Sequence, residues 1–427
     1  MSKKFSSVEF KQLLEDLYSL QRLGIKVGLE HTEKLLEACG NPHDNFLSIH
    51  IAGTNGKGST AAMISSILRE SDYKVGLYTS PHLIRFNERI RVNGVPISDD
   101  RIVDFIAQYE SIIKEIKSTF FEATTAMTFD YFNKENVDVA VIETGLGGRL
   151  DSTNVVKPNI TVISSITEDH TEILGRDLKT IAFEKGGIIK NGVPLILSSQ
   201  SEGVKNVLLD IADRKNVKIT YCNQNDIQNV NINETGTKFN WRGIVYKTNL
   251  IGEHQAGNAV LAIEASKKFS NKINSDIISN GLKTVNWPAR IQKMHKTLPI
   301  FYDVAHNPHG IQVAVDSLYK IYHEPPFGLI ALKADKEIEL IVPKLENKFK
   351  ELIVTSIPGV GLMEAEDLYK ILINHRIKAT FEQDIAKAIK MINNAVSITS
   401  PALIFGSHYI GETIYKEYGF SFDNGII

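Results

Sequence analysis

Short apolar runs alternate with amphipathic, helix-like segments along nearly the whole chain. Before residue 227 this pattern predicts strands at 47–52, 74–79, 137–143, 159–166, 193–197 and 217–221, and helices at 59–71, 101–117, 122–135 and 177–189. Alternation of strands and helices is typical of a mainly parallel sheet that is covered by helices. The sequence therefore predicts an α/β fold.

The pattern changes at residues 227–248, where polar and apolar residues alternate and turn signals occur at 234–236 and 242–243. We interpret this stretch as a small antiparallel extension of the first domain. Helices at 254–269 and 274–283 follow, and then the sequence WPAR, in which Pro288 favours an extended chain. We place a domain boundary there, with a first domain at 1–286, a linker at 287–291 and a second domain at 292–427.

After the linker the alternation of strands and helices begins again. The predicted strands are 299–304, 327–332, 350–355, 377–380 and 401–405, and the predicted helices are 309–323, 335–346, 364–373, 384–395 and 408–417. The chain of 427 residues is also longer than a single hydrophobic core usually supports. We therefore expect a P-loop domain with a mainly parallel sheet, followed by a smaller Rossmann-like α/β domain.

The first predicted strand runs into a loop that combines glycines with a lysine and hydroxyl groups, and a helix-like run follows. Glycines let backbone N–H groups approach a phosphate, and the helix N-terminus and the lysine add positive charge. The common P-loop pattern has glycine where this chain has Ile51, and Ser or Thr where it has Gly58. The alternative is an ordinary turn that needs glycine for steric reasons. We expect ATP phosphates at Thr54, Asn55, Gly56, Lys57, Gly58, Ser59 and Thr60.

Polar residues also close other predicted strands, namely Ser80, Glu143 and the TEDH segment that ends at His170. Ligands of open α/β sheets bind at the carboxyl ends of strands. A carboxylate at the end of an apolar strand is costly unless it is paired or binds a cation. We therefore expect Glu143 to bind Mg²⁺ beside the nucleotide; the alternative is a salt bridge to Arg149 or to another base.

Three residues of the linker and the second domain suggest a nucleotide clamped between domains: Arg290, Asp303 and His306. A guanidinium group fits phosphate through paired hydrogen bonds. Each of the three also has a local alternative, as a boundary salt bridge, a cap or a surface histidine.

The net charge of −2 gives no electrostatic reason to expect nucleic acid as a partner. No run of 18 apolar residues occurs, so we expect no membrane span. The two cysteines, Cys39 and Cys222, form no metal or redox spacing and suit a reducing cytoplasm.

Seven motifs in this order resemble the folylpolyglutamate synthase/dihydrofolate synthase family of the Mur ligase superfamily, in its bifunctional bacterial form. They are GTNGKGST, TSPH followed by RFNERI, ETGLGGRLDSTN, ITEDHTEILG, EKGGIIK, WPAR and YDVAHNPHG. The resemblance implies an ATP- and Mg²⁺-dependent ligase that joins L-glutamate to dihydropteroate or to a folate through an acyl phosphate. It also implies a monomer.

The resemblance assigns roles to individual residues. Lys57 binds ATP phosphates and, with Lys185 and His170, serves catalysis; Lys185 is carbamylated in relatives and helps to bind a second Mg²⁺. Gly186 replaces the usual alanine beside it. The metal ligands are Ser80, Glu143 and His170. The further nucleotide contacts are Asn258, Arg290, Asp303 and His306, and the folate substrate contacts are Phe121, Leu150, Asp151 and Ser152.

Two other functions are compatible with parts of this pattern. A cell-wall or cyanophycin ligase of the Mur type would share the ATP site, but a UDP-binding domain of roughly a hundred residues would have to precede the loop. Residues 1–52 are too few for such a domain. A nucleotide-dependent switch would hydrolyse ATP without an amine acceptor. Within the family, we expect both the first glutamate addition and chain extension.

Overall fold

The computed structural model describes residues 7–20, 28–168, 175 and 177–421, with side chains from residue 12 onward. His170, a predicted metal ligand and catalytic residue, lies outside the described residues. The helices in the described ranges are α1 Ser7–Ser19, α2 Glu30–Ala38, α3 Lys57–Arg69, α4 Asp99–Glu115, α5 Phe120–Lys134, α6 Leu178–Gly186, α7 Glu202–Arg214, α8 Glu253–Phe269, α9 Ser275–Thr284, α10 Pro308–Tyr322, α11 Ile338–Leu345, α12 Ala365–Asn374, α13 Ile385–Ala395 and α14 Gly411–Glu417.

The strands form three sheets. They are β1 Leu47–Ala52, β2 Val75–Tyr78, β3 Ile90–Val92, β4 Val95–Pro96, β5 Val139–Glu143, β6 Ile160–Ile163, β7 Leu195–Ser198, β8 Ile219–Cys222, β9 Gln228–Asn233, β10 Gly236–Trp241, β11 Ile244–Thr248, β12 Gln292–Lys293, β13 Ile300–Tyr302, β14 Phe327–Ile330, β15 Leu352–Val354, β16 Ala379–Phe381 and β17 Ala402–Phe405. The predicted α/β class is confirmed, with element ends that differ from the predicted ones by a few residues.

The first sheet has eight strands in the order β4-β3-β2-β5-β1-β6-β7-β8. Strands β2, β5, β1, β6, β7 and β8 run parallel to one another, whereas β3 pairs antiparallel with β2. Both faces of the sheet are buried: Val139 and Val141 pack in one hydrophobic cluster, and Ala140 and Ile142 pack in another. This two-sided burial explains why the strands read as continuous apolar runs.

The small antiparallel extension is confirmed as the sheet β11-β10-β9. Arg242 and Gly243 both have positive φ, 51° and 82°, as a two-residue hairpin turn requires. The indole Nε1 of Trp241 donates to Glu264 Oε1 on α8 at 2.8 Å, which ties the extension to the first sheet's helical layer.

The third sheet has the order β12-β13-β17-β14-β15-β16, and all its pairs are parallel except β12–β13. The smaller α/β unit that we predicted is therefore present. No helix in the described ranges is long and apolar enough to cross a membrane.

Helices α1, α2 and α7 lie outside the predicted helix ranges, and β12 and the hairpin β3–β4 were not predicted either. The hairpin turns at Asn93 and Gly94, with φ of 50° and 81°. Asn-Gly is a strong hairpin signal. The strands on either side have only three and two residues, too few to show an alternating pattern.

Helices α9 and α3 approach each other closely at Gly281, which gives a test of the packing. An added Cβ there would lie 2.6 Å from Ile67 Cα and 2.8 Å from Ile67 N, and backbone atoms cannot turn aside. We expect Gly281→Ala to lower the free energy of unfolding by roughly 1–3 kcal/mol. Denaturant unfolding measures this change. Gly203→Ala on α7 is the control, because its Cβ would come no closer than 3.5 Å to Lys179. Equal stability of both variants would contradict the packing.

Candidate active site

The glycine loop joins β1 to α3 and places a helix N-terminus at the sheet's carboxyl edge. Helix α3 begins at Lys57, and Gly56 before it has φ 84°. A Cβ on Gly56 would lie 2.3 Å from Asn258 Oδ1 of α8, so the loop requires glycine there. The first amides of a helix have no partner within the helix, and they are therefore available to an anion.

Lys57 and Glu143 meet at this edge because β1 and β5 are parallel and Ile51 pairs with Glu143. The Lys57 Nζ lies 4.0 Å from Glu143 Oε1, and Ser80 N donates to Glu143 Oε2 at 3.2 Å. Burial raises the pKa of Glu143, and Lys57 is the strongest of the groups that oppose the rise. Of the alternative salt bridges, the one to Arg149 is not observed, because Arg149 Nη2 contacts Glu184 Oε1 at 2.9 Å, whereas Lys57 is a base that does approach Glu143.

The donor chemistry at Glu143 suits a hard cation. The Ser80 hydroxyl and the Glu143 carboxylate supply oxygen, which Mg²⁺ prefers. The carboxylate is 4% exposed and has an incomplete set of partners, so a cation there would offset the cost of its burial. Among the described residues no cluster of three His, Cys, Asp or Glu side chains forms a metal site. Ser80 and Glu143 thus fit Mg²⁺, and the predicted third ligand lies outside the described ranges.

The segment around Arg290 has an unusual backbone. Ala289 and Ile291 have φ of 53° and 46°, and a β-branched residue at positive φ is a genuine outlier. Asp303 holds this segment: its Oδ2 accepts from Ile291 N at 2.9 Å and its Oδ1 from Ala305 N at 2.7 Å. Burial raises the pKa of Asp303, and Arg290 is the largest opposing group. Backbone strain of this kind clusters at functional sites.

The loop after β13 brings His306 and Asn307 to the glycine loop. His306 Nδ1 donates to the Val304 carbonyl at 2.9 Å, which fixes the ring. Asn307 caps α10 by accepting from Gly310 N at 2.8 Å, and its Nδ2 donates to Asn55 Oδ1 at 3.3 Å. The second α/β unit therefore contacts the phosphate loop directly.

A cavity of about 1570 Å³ lies between the first and third sheets. Pockets for one small molecule usually measure about 300–1,000 Å³, so this cavity has room for more than one ligand. It is lined by the predicted site residues Thr54, Asn55, Gly56, Lys57, Gly58, Ser59, Ser80, Phe121, Glu143, Leu150, Asp151, Ser152, Asn258, Arg290, Asp303 and His306.

Two predicted site residues lie behind the cavity wall. Thr60 is fully buried, and its N–H donates to Gly56 O at 2.9 Å as part of the helix. Lys185 is 5% exposed, and its Nζ donates to Gly53 O at 2.8 Å beneath the glycine loop. Both residues therefore hold the backbone of the glycine loop through hydrogen bonds to its carbonyl groups.

The predicted substrate contact Asp151 is engaged by the protein itself. Its Oδ2 accepts from Gly145 N and Leu146 N, each at 2.8 Å, and its Oδ1 accepts from the N–H and hydroxyl of Thr153 at 3.0 and 2.5 Å. The Asp151 carboxylate thus braces the loop that forms one wall of the cavity. Direct contact of this side chain with substrate stays a prediction.

A buried histidine extends this network into the sheet. His50 Nε2 lies 2.8 Å from Thr153 Oγ1. The hydroxyl proton of Thr153 is donated to Asp151, so His50 must donate through Nε2. Burial lowers the pKa of His50 to about 3, which keeps the ring neutral. The chain His50–Thr153–Asp151 therefore anchors the loop to the centre of β1.

Residues outside the predicted set also line the cavity, notably Arg89 and His408. Arg89 is 8% exposed, and burial lowers its pKa. The His408 ring packs against the Tyr409 ring with centroids 4.2 Å apart and the planes tilted by 34°, and burial lowers the pKa of His408 to about 4. Arg89 belongs to the motif RFNERI, but the sequence patterns gave no reason to single out either residue.

Comparison with known proteins places this geometry in a family. The Mur ligase middle domain matches residues 51–266. The dihydrofolate synthase/folylpolyglutamate synthase of Bacillus subtilis is 34% identical over 92% of this chain and 96% of its own length. The chain belongs to the folylpolyglutamate synthase/dihydrofolate synthase family of Mur ligases. Members are ATP-dependent ligases, so the chain is an enzyme of this class and the switch alternative is excluded.

Solved structures of the family agree over nearly the whole chain. A Mycobacterium tuberculosis folylpolyglutamate synthase complexed with ADP and AMPPCP has a TM-score of 0.89 at 28% identity, covering 97% of this chain and 100% of its own. An Escherichia coli FolC in complex with DHPP and ADP has a TM-score of 0.84 at 27% identity, covering 95% and 97%. This agreement favours the folate ligases over the cell-wall ligases among the Mur ligases.

The His50–Thr153–Asp151 network can be tested by removing its central hydroxyl. In Thr153→Val, His50 Nε2–H loses its acceptor and Asp151 loses a donor inside the protein. We expect the free energy of unfolding to fall by about 1–3 kcal/mol, as measured by denaturant unfolding. Thr153→Ser keeps the hydroxyl and is the matched control. A valine variant as stable as the serine variant would show that the network does not anchor the loop.

Proposed function

We propose that this ligase uses ATP to join L-glutamate to dihydropteroate and to extend folylpolyglutamate, releasing ADP and phosphate. The observation that carries the proposal is the cavity of about 1570 Å³ between two α/β units, which has a phosphate loop on one side and Arg290, Asp303 and His306 on the other. The relatives named for these two reactions, and the nucleotide named in solved relatives, support it.

The chemistry must turn a carboxylate into a group that an amine can attack. We propose that the acceptor carboxylate attacks the γ-phosphorus of ATP, which forms an acyl phosphate and releases ADP. The glutamate amine then attacks the acyl carbon, phosphate leaves, and the amine loses its proton. Charge on the transferring phosphoryl group is the main barrier that the protein has to lower.

The side chains present suit these steps. Lys57 and the first amides of α3 would bind the phosphates from the first unit, and Arg290 would bind them from the linker. Asp303 holds the backbone of Ile291 and so positions Arg290. Phe121 and Leu150 would offer an apolar wall to a flat ring system. Enclosure between the two units would keep water away from the intermediate.

Ser80 and Glu143 would hold Mg²⁺, which when bound neutralises charge on the phosphates. His170 as a third ligand, and Lys185 as a carbamate that serves a second Mg²⁺, stay proposals from the family resemblance. The buried position of Lys185 beneath the loop is consistent with a role near the phosphates.

Other features of the protein are proposed on the same basis. We propose a division into 1–286, the linker 287–291 and 292–427, and a monomer. Both Cys39 and Cys222 are free thiols, which suits a reducing compartment, and we propose the cytoplasm. We propose small-molecule substrates, without nucleic acid or membrane as partners.

ADP release with different acceptors tests the function. With ATP, Mg²⁺ and L-glutamate, we expect turnover with dihydropteroate and with a reduced folate monoglutamate, because one cavity serves both. We expect none with a UDP-linked peptide precursor, and none when the amino acid is omitted. Turnover that continues without any amine acceptor would contradict ligation.

Replacement of Glu143 tests the centre of the phosphate site. Glu143→Gln keeps the shape of the side chain but removes the charge that would bind Mg²⁺ and attract Lys57. We expect kcat to fall ~10²–10³-fold, the scale for loss of one transition-state electrostatic group. The control is Glu135→Gln, which alters an ion pair with Lys74 outside the cavity and should leave kcat unchanged. Near-normal activity of Glu143→Gln would remove Glu143 from the site.

A further inference from the structure

Arg89 is a buried cation that the steps above do not use. It ends the short helical turn Phe86–Arg89 before β3, lines the cavity and is 8% exposed. Its Nε donates to His82 Nδ1 at 2.8 Å, and its guanidinium carbon lies 5.2 Å from the centroid of the Phe120 ring. One side of the guanidinium group is therefore fixed, and the rest faces the cavity.

The charge of Arg89 is only partly offset by the protein, through the carboxylates of Glu88 and Glu143, neither of which pairs with it directly. Among the described residues no carboxylate forms an ion pair with it, and its two Nη groups have no hydrogen-bond partner. The neighbouring Glu88 carboxylate accepts from Leu83 N and Ile84 N at 2.8 Å each, and from Arg85 N at 2.5 Å. A buried guanidinium group without a directly paired carboxylate is unfavourable, and an anionic ligand in the cavity would supply that pair.

Arg89 faces both halves of the cavity wall. Phe120 belongs to the first unit, near the predicted folate contact Phe121. His408, which lines the same cavity, belongs to the second unit. Lys333, another cation of the lining, is already paired with Asp335 at 2.8 Å. Arg89 is thus well placed for a carboxylate that enters between the two units.

We propose that Arg89 binds a carboxylate of the incoming dicarboxylic amino acid. This inference rests on the proposed function and names the binding residue for its third substrate. The phosphates already have Lys57 and Arg290. The acceptor carboxylate loses its charge on activation, so a fixed cation there would stabilise the ground state and slow the reaction.

The amino acid, in contrast, keeps its carboxylates charged through every step. The amino acid is also the substrate common to both proposed reactions. Dihydropteroate has no carboxylate besides the one that reacts, so a non-reacting carboxylate of the acceptor could not bind Arg89 in both. A guanidinium group presents two parallel N–H groups that match a carboxylate, and lysine cannot reproduce that pairing. Replacement of Arg89 should therefore weaken the binding of the amino acid and leave the binding of ATP and of the acceptor almost unchanged.

Steady-state ADP release by Arg89→Lys and Arg89→Gln tests this assignment. At saturating ATP and acceptor, we expect KM for L-glutamate to rise ~10-fold in the lysine variant and ~100-fold in the glutamine variant. KM for ATP and for the acceptor should stay within about twofold. Arg85→Gln is the matched control from the same motif, because Arg85 is half-exposed, pairs with Asp99 at 3.1 Å and does not line the cavity.

Amino-acid analogues give a readout that a structural role would not change. L-2-Aminobutyrate lacks the γ-carboxylate and 4-aminobutyrate lacks the α-carboxylate. Arg89→Gln should lose the preference for L-glutamate over one of these analogues and keep it over the other. If Arg89→Gln does not fold, the same comparison is made with Arg89→Lys.

The outcomes separate this assignment from the proposed function. A wild-type enzyme without glutamate-dependent turnover would overturn the function itself. If the wild type is active, a rise in KM for the acceptor instead of L-glutamate would move Arg89 to the acceptor carboxylate and overturn the assignment. Unchanged KM for L-glutamate in a folded glutamine variant would overturn it as well.

Discussion

The parallel pairing of β1 with β5 is the constraint on which the site depends. Its register sets Ile51 beside Glu143, so the end of one buried strand lies next to the start of the glycine loop that follows the other. The same apolar side chains that stabilise the sheet exclude water from this edge. Lys57 and Glu143 therefore meet where charges interact strongly and are poorly hydrated, which is the condition a phosphate site requires.

The second unit completes the site through a strained connection. Ala289 and Ile291 flank Arg290 at positive φ, a conformation that costs on the order of 1–3 kcal/mol per residue. It persists because Asp303 and the packed β13 region fix both sides of the turn. The position of Arg290 is thus fixed by the backbone on either side of it. The hydrogen bond from Asn307 to Asn55 connects the two units that form the cavity.

Most of the fold could be predicted from the sequence because strands buried on both faces are continuous apolar runs, and loops with glycine mark where several of them end. Strands as short as β4 and β12 leave no such pattern. The phosphate-loop residues and Glu143 could also be predicted, since strand ends converge. The bracing role of Asp151 and the unpaired charge of Arg89 could not, because both depend on which hydrogen-bond partners the folded chain supplies.

Three charged side chains of this cavity, Glu143, Arg89 and Asp303, are each nearly buried. Burial shifts the pKa of each against its charged form, so the protein without ligands carries an electrostatic cost. Arg290 and backbone donors offset part of that cost at Asp303, and Lys57 and the Ser80 N–H offset part of it at Glu143. A cation at Glu143 and an anion at Arg89 would remove the rest. Because such ligands bind the folded state and not the unfolded chain, their affinity adds to its stability, and the site is most stable when all substrates are present.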